Sequence, residues 1–420
     1  MTISNPYIVS VFARICMVSV SIGYSIILAR YLGPTLKGAL SYIQSIIAIA
    51  SIVLCFGIHQ AYPYFRIQNE DKSHFLNEYM NTVFFSFCIA LSVSISIFFF
   101  SRFSQEIRIC CLLSPIWSYT RVSGYVLLVE NPNKRNLNLV VFSIAELIYV
   151  IALFIFTTPT LFYGVSAIVL VELLKVVLFT FWIPFKISIR LYNFSLIRKL
   201  AIYGFFPMIA LLMTTLNYRI DILMLKNSCG ITLAEVGIYS IGVSFAEKTL
   251  LLPDALKEIL LSNLAKSKGP NEVAKVSRVC FVLSGCVGIL ILCLGKPVIN
   301  LVYGADYVGA YPITCISIFG AFFMIFFKMI GQYNIVNHFQ VYNIIFLLIS
   351  IIINFTLNMI LIPLYKTSGV AVATVIGHIS CAIAFITFFH KRTNIPAKDI
   401  VFIKKNDIAS LFNLIRSIIH

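Results

Sequence analysis

Charge is scarce in this chain: Asp, Glu, Lys and Arg make up only 11% of its 420 residues, against 60% hydrophobic residues. A soluble fold needs far more polar surface than that, so a water-exposed globular domain is excluded. Acidic residues are the rarer sign, 16 against 32 basic ones, giving a net charge of +16. In a soluble chain that excess would suggest nucleic acid; in so apolar a chain it is topological, because cytoplasmic loops of membrane proteins collect Lys and Arg. No CxxC pair occurs among the eleven cysteines, most of which lie within apolar runs. That scatter excludes a disulfide framework and a zinc site and leaves the thiols as small packing groups. A cleavable signal is not expected either, since the first apolar stretch, about 7–31, is too long and lacks a basic leader. Long polar connections are missing as well, which removes room for a soluble catalytic domain.

What is present is a series of twelve segments long enough to span a bilayer, each about 20 mostly apolar residues. They run 7–31, 39–62, 79–100, 108–129, 138–157, 162–183, 200–225, 235–262, 278–303, 310–333, 341–363 and 368–390. Two are less clean. The fourth carries Arg121, and the eighth carries Glu247, Lys248, Asp254, Lys257 and Glu258. Neither suits lipid on every side, so both are expected to line a cavity. Alternate connections hold most of the basic residues, among them Arg66, Lys134, Arg135, Arg198 and Lys275, as does the tail with Lys391, Arg392 and Lys398. This asymmetry places both termini in the cytoplasm and requires an even number of spans. The stretch 400–419 alternates apolar and basic residues and reads as an interfacial amphipathic helix.

Basic residues inside the spans are the informative feature. Arg14, Arg121, Lys175, Arg219 and Lys328 interrupt otherwise apolar segments, and Lys248 joins them in the eighth. A basic residue near mid-bilayer costs about 2.5–3.5 kcal/mol even on a lenient insertion scale. Such residues face a bundle interior or a water-filled route, and an anionic cargo is the first expectation. Each has a bland alternative. Arg14 shares a face with Ser21 and Ser25 but can snorkel to the interface. Glu172 and Lys175, three apart, can neutralise each other. Arg121 either pairs with Glu146 across helices or is open to a ligand. Arg219 and Asp221, two apart, point to different sides of one helix, so one faces a cavity and the other locks a neighbour. Glu247 suits proton coupling in a partly dry cavity but can pair with Lys248 or with a cation of another helix. Lys328 lies close enough to a span end to snorkel. Asn343, Ser350, Asn354 and Asn358 form a polar stripe suited to interhelical hydrogen bonds. His59 and His378 are expected to be satisfied packing histidines.

Two short matches recur at nearly one offset. Gly38-Ala39-Leu40-Ser41-Tyr42 returns as Gly237-Ile238-Tyr239-Ser240, and Pro159 with Gly164-Val165-Ser166-Ala167 returns as Pro363 with Gly369-Val370-Ala371-Val372. Six spans separate the copies, so the halves insert the same way up: 1–192 as a first lobe, 193–390 as a second, with 391–420 as a basic tail. Transporters place their sites at such repeat interfaces.

Ala29-Arg30-Tyr31-Leu32-Gly33-Pro34 with Gly38 and Tyr42 resembles the first-loop signature of polysaccharide-exporting flippases. Arg219 to Leu225 with Val236-Gly237-Ile238-Tyr239 resembles their seventh-span signature. Leu301-Val302-Tyr303-Gly304 with Tyr307, and Asn354, Asn358, Ile362-Pro363 and Gly369 to Thr374, resemble two later stretches. Within the superfamily shared with multidrug exporters and lipid II flippases, the chain looks most like the O-antigen flippases. The resemblance implies an all-α membrane protein of two six-helix lobes in a V, working by alternating access. It implies a cargo of undecaprenyl-pyrophosphate-linked oligosaccharide, moved from the cytoplasmic to the periplasmic leaflet of a bacterial inner membrane. Arg14, Arg121, Lys175, Arg219, Lys248 and Lys328 would then be cargo-binding cations. Glu146, Glu172, Asp221 and Glu247 would serve ion coupling or structural pairing. No resident cofactor, metal or catalytic residue is expected; coupling to H+ or Na+ is, and an O-antigen polymerase and chain-length regulator are candidate partners. A lipid II flippase would carry two further spans. A multidrug exporter of cationic cargo would show acids in excess inside the spans, and a membrane-embedded polymerase would need a large periplasmic loop.

Overall fold

Residues 6–265, 269–404 and 407 are described by the computed structural model. Those residues are helical nearly throughout. The elements are α1 (Pro6–Leu54), α2 (Ile58–Gln68), α3 (Lys72–Phe100), α4 (Gln105–Glu130), α5 (Pro132–Phe156), α6 (Leu161–Trp182), α7 (Phe194–Lys226), α8 (Leu233–Ala246), α9 (Leu251–Ala265), α10 (Pro270–Tyr303), α11 (Ala310–Val336), α12 (Gln340–Thr393) and α13 (Ala397–Val401). Ten of the twelve sequence segments each fall on one of these helices, while 39–62 crosses the break between α1 and α2 and 235–262 runs from α8 into α9. Eight of the helices are long and apolar enough to cross a membrane. α1 and α12 are double length because each joins two spans, α1 across a break at Gly33 and α12 across one at Lys366. α4 and the α8–α9 pair, the two segments that read as least clean in the sequence, stand outside those eight.

The breaks follow from local chemistry. Gly33 takes φ +67°, a left-handed value that glycine adopts without steric cost, and Pro34 behind it cannot donate to a continuing helix. Asp71 caps α3 by accepting from the His74 amide, and Asn131 caps α5 from Lys134 with Pro132 at the first helical position. Thr232 and Glu235 cap α8 reciprocally. The eighth span is not one helix: a 3₁₀ turn, Glu247–Leu250, separates α8 from α9, and the charged pair sits on that turn.

Contacts divide the chain into two compact units, Met1–Thr215 and Leu216–His420. In the first, α1 packs on α4, α5 and α6, and α3 on α4. Its largest apolar cluster gathers Tyr62, Phe75, Tyr79, Tyr119, Phe142 and Phe179. Leu32, from the first-loop signature, packs closely on Gly164: a Cβ there would sit 3.1 Å from its methyl groups, so a larger residue would require the Leu32 side chain to shift. In the second, α11 is the central helix, packed against α8, α9, α10 and α12. Met324, Ile325, Met329 and Ile330 of α11 are fully buried. The outer helices are the reverse: in α3 only 11% of the most apolar window is buried inside the protein. Apolar surface of that extent, with Phe99, Phe100, Phe156 and Phe181 on it, is stable only against lipid.

Candidate functional site

In the first unit the buried charges sort into three groups. Lys175 Nζ lies 2.6 Å from Glu172 and 3.9 Å from Glu146, and Thr120 Oγ1 donates to Glu172 at 2.7 Å. Two carboxylates face one ammonium, so Lys175 is already partnered within this cluster. Arg66 clamps Glu130 with both arms, at 2.5 and 2.7 Å, and Tyr62 donates to the same carboxylate at 2.6 Å. Sequence reasoning placed Arg66 in a loop and passed over Glu130; the pair locks α2 to α4. Arg121 is the third case. Its guanidinium donates to Ser51 Oγ at 3.2 Å, its Nε is buried with no hydrogen-bond partner, and among the described residues no carboxylate lies within ion-pair distance. Of the two expectations for Arg121, pairing with Glu146 is not what the structure shows. The Arg14 side chain lies outside the described residues.

His59, fully buried at the start of α2, differs from the expected satisfied histidine: neither ring nitrogen has a partner, and its ring meets Tyr125 edge-on at 4.8 Å. The residues around it are joined by a close approach. Gly57, at φ +69°, and Gly204 of α7 touch backbone to backbone, so a Cβ on either would fall 2.0–2.4 Å from the other's carbonyl oxygen. Tyr64 stacks on Tyr203 at 4.5 Å beside that contact.

The second unit answers which of Arg219 and Asp221 is the lock. Asp221 is buried and accepts from Tyr239 Oη at 2.8 Å, Thr374 Oγ1 at 2.6 Å and Asn358 Nδ2 at 3.2 Å. Asn354 donates to Thr374 and accepts from Asn358, so the polar stripe of α12 closes a network onto α7. Ser350 donates to Asn217 Oδ1 at 2.9 Å, and Asn343 bonds Asn334 and Gly331 of α11. The stripe therefore does what interhelical polar groups do, each bond contributing about 0.6 kcal/mol on average in a membrane. Arg219 is exposed on the unit's surface and has no carboxylate within ion-pair distance among the described residues.

Lys328 does not snorkel: its ammonium bonds Asp254 at 2.6 Å, lies 5.8 Å from the Tyr218 ring centre, and shares Asp254 with Lys257 at 2.8 Å. Glu247 and Lys248 form no ion pair with each other. Glu247 instead lines a small cavity of about 20 Å³ with Asn217, Tyr218, Asp221, Ser317 and His378. At the start of the ninth span, Arg278 is buried and holds the tail: it grips Asp407 at 2.6 and 3.0 Å and bonds the Asp399 carbonyl. That hydrogen bond from Arg278 holds the Asp407 carboxyl below the usual carboxylate range. The rest of the expected amphipathic tail, 408–419, lies outside the described residues. Among the described residues no group of three His, Cys, Asp or Glu is arranged to hold a metal ion.

With this geometry in view, the relationships of the chain are plain. A family model described as "Polysaccharide biosynthesis protein" matches residues 8–252, more than half of the chain. The chain belongs to that family, within the multidrug, oligosaccharidyl-lipid and polysaccharide exporter superfamily, and is a multi-pass membrane transporter of the flippase type. Its fold is similar to that of the lipid II flippase MurJ in an inward closed conformation, with a TM-score of 0.71 at 20% identity over 98% of this chain and 92% of that one. It is equally similar to an inward-facing MATE multidrug resistance transporter, TM-score 0.71 at 15% identity over 90% and 94% of the two chains. A superfamily transporter from Pyrococcus furiosus, described as having a binding pocket of reverse polarity, matches at 0.61 and 15% over 92% and 94%. At these identities the likeness establishes the fold. No curated protein sequence matches the chain.

Proposed function

We propose that this protein flips undecaprenyl-pyrophosphate-linked O-antigen repeat units from the cytoplasmic to the periplasmic leaflet of a bacterial inner membrane, by alternating access, for lipopolysaccharide assembly. The observation that carries the reading is the pair of intramembrane arginines without carboxylate partners, Arg121 and Arg219. Each guanidinium is always charged and offers planar paired donors, the geometry that suits pyrophosphate oxygens. A cation left unpaired within a span is costly in lipid, so a recurring anionic ligand is a physical reason for its presence. Lys175 and Lys328 are already neutralised by carboxylates, and Lys248 stands beside Glu247; they contribute to the field rather than to direct grip.

The polyprenyl tail stays in lipid while the glycan crosses. A membrane potential of about 100 mV, inside negative, contributes about 2.3 kcal/mol per charge moved outward, so a doubly charged pyrophosphate gains about twice that. Inward movement of H+ or Na+ supplies a second driving force, and a polymerase and chain-length regulator are the partners expected to receive the product. The acid-rich cluster at Glu146 and Glu172 favours neither reading of the cargo by itself. A multidrug exporter is the second reading, since the fold serves both; the two unpaired arginines disfavour cationic cargo. The test is display of surface O-antigen in cells carrying Arg121→Gln or Arg219→Gln, with membrane abundance measured in parallel. Loss of display at normal abundance supports the reading, and normal display by both variants refutes it.

A further inference from the structure

Tyr64 of α2 and Tyr203 of α7 stack on each other in the first unit, ring centres 4.5 Å apart and planes 16° from parallel. Phe65 braces both rings edge-on, at 5.4 and 5.6 Å. Each tyrosine is still 43% exposed, and neither hydroxyl has a hydrogen-bond partner among the described residues. The backbone holds the stack in place: Gly57 and Gly204 meet without room for a Cβ, which fixes α2 against α7. Polar side chains share the same helix faces. Gln60 and Gln68 stand four residues either side of Tyr64, and Lys199 stands four before Tyr203. None of these three makes a side-chain hydrogen bond or ion pair among the described residues.

We propose that this face is a carbohydrate-binding site, which stacks a pyranose of the cargo on Tyr64 and Tyr203 and bonds its hydroxyls through Gln60, Gln68 and Lys199. The proposal rests on the flippase reading and gives its glycan a contact separate from the diphosphate. A pyranose turns C–H groups of slight positive charge outward from its ring, and these meet the negative face of an aromatic ring. A side-chain amide offers donors and an acceptor together, which suits hydroxyls that need both. A diphosphate is the poorer occupant. The single ammonium of Lys199 lacks the paired donors of a guanidinium, and Arg66 nearby is spent on Glu130.

Tyrosines also sit at membrane interfaces, where they anchor helices among lipid headgroups. Depth argues against that role here. Gln68 ends α2 on the side marked by Lys72, Arg198 and Lys199. Gln60 lies eight residues further in, about 12 Å by helical rise. An amide without a partner at that depth is costly against hydrocarbon, so the face that carries it borders water. The exposed neighbours Ile67 and Phe206 suit the C–H groups of a sugar as well as they suit lipid, so the amides decide. By its basic residues this end of the unit is cytoplasmic, the side from which the glycan enters in the proposed function.

The test uses the full chain in lipid nanodiscs. Tyr203→Trp keeps an aromatic ring in the stack and reports on it, with the wild-type emission of Trp117 and Trp182 subtracted. Its emission should be quenched by aqueous acrylamide and should change when N,N′-diacetylchitobiose is added. Quenching by brominated lipid instead, or no response to the disaccharide, overturns the proposal. In the second arm, two fluorescent probes are compared: polyprenyl pyrophosphate and polyprenyl-pyrophosphate N-acetylglucosamine. The wild type should bind the glycosylated probe about five- to tenfold more tightly than the bare one. Tyr64→Ala combined with Tyr203→Ala should remove that margin and leave the bare probe unaffected. Gln60→Leu should narrow the margin too, and its apolar side chain suits a membrane helix, so a misfolded double variant does not decide the result. Equal binding of the two probes by the wild type overturns the proposal, as does an intact margin in both variants. A wild-type chain that binds neither probe refutes the flippase reading, and the disaccharide response then still decides the carbohydrate site.

Discussion

Asp221 is the residue whose removal tests the architecture of the second unit most directly. Its carboxylate collects three hydrogen bonds, from Tyr239 of α8, and from Asn358 and Thr374 on the two halves of α12. Asp221→Ala deletes the acceptor and leaves two hydroxyls and an amide facing a void where water is scarce. Hydrogen bonds between membrane helices contribute about 0.6 kcal/mol on average and up to about 1.7 kcal/mol each, so three place the expected loss at about 2–5 kcal/mol. The upper part of that range is favoured because the acceptor is a carboxylate and the donors lose their partner without replacement. Asp221→Asn should cost less, since the two hydroxyls can rotate to meet an amide. The measurement is reversible unfolding of the purified protein by SDS in mixed micelles, with helicity as the readout. If Asp221→Ala unfolds at the same SDS fraction as the wild type, the network does not hold these helices together and the assignment of Asp221 as the lock fails.

Gly57→Ala and Gly204→Ala should each destabilise the first unit by about 1–3 kcal/mol, because a Cβ has no space at that contact; thermal unfolding in detergent measures it, with Gly285→Ala, which faces open space, as the neutral control. Glu130→Ala, which leaves Arg66 and Tyr62 without their shared acceptor, should expose the α2–α4 junction to hydrogen exchange more than Arg66→Lys does. The Arg278–Asp407 clamp predicts a pH dependence of tail docking. The Asp407 carboxyl is depressed in the folded state by the Arg278 hydrogen bond, so its contribution is fully present above the ordinary carboxylate pKa. It disappears as pH falls through the lower folded value. Protection of the amides across 397–404, measured against their unstructured exchange rates, should therefore be high at neutral pH and fall below about pH 4. Arg278→Met should lack protection at both, and a wild-type tail whose protection is indifferent to acid would contradict the clamp.

Much of this protein was readable in one dimension because a bilayer imposes a simple rule: every backbone group must be bonded within its own helix, and each span must be long and apolar. That rule yields the twelve segments and identifies 108–129 and 235–262 as the exceptional pair. The signature around Gly33 and Pro34 is legible for a similar reason, since few residues tolerate a left-handed turn at a span end. Pairing was not legible. Whether Arg121 meets Glu146, or Lys175 does, depends on how α1, α4, α5 and α6 rotate about their axes, and spacing within one helix carries no such information. His59 and His378 read as packing residues because nothing local shows that their nitrogens would lack partners. Glu130 and Asp407 escaped notice because their arginines come from distant segments.

The sequence by itself thus determined a multi-span helical membrane protein, its family, and an excess of cations within the spans. Composition and periodicity are local sums, and the lipid solvent converts them directly into topology. Only the tertiary structure decided which charges are spent on each other. It put Lys175 and Lys328 against carboxylates, left Arg121 and Arg219 without them, and turned Asp221 into a lock. It also gathered Glu247 and His378, distant in sequence, around one small polar cavity, because in low dielectric a charge's role is set by its nearest neighbours in space.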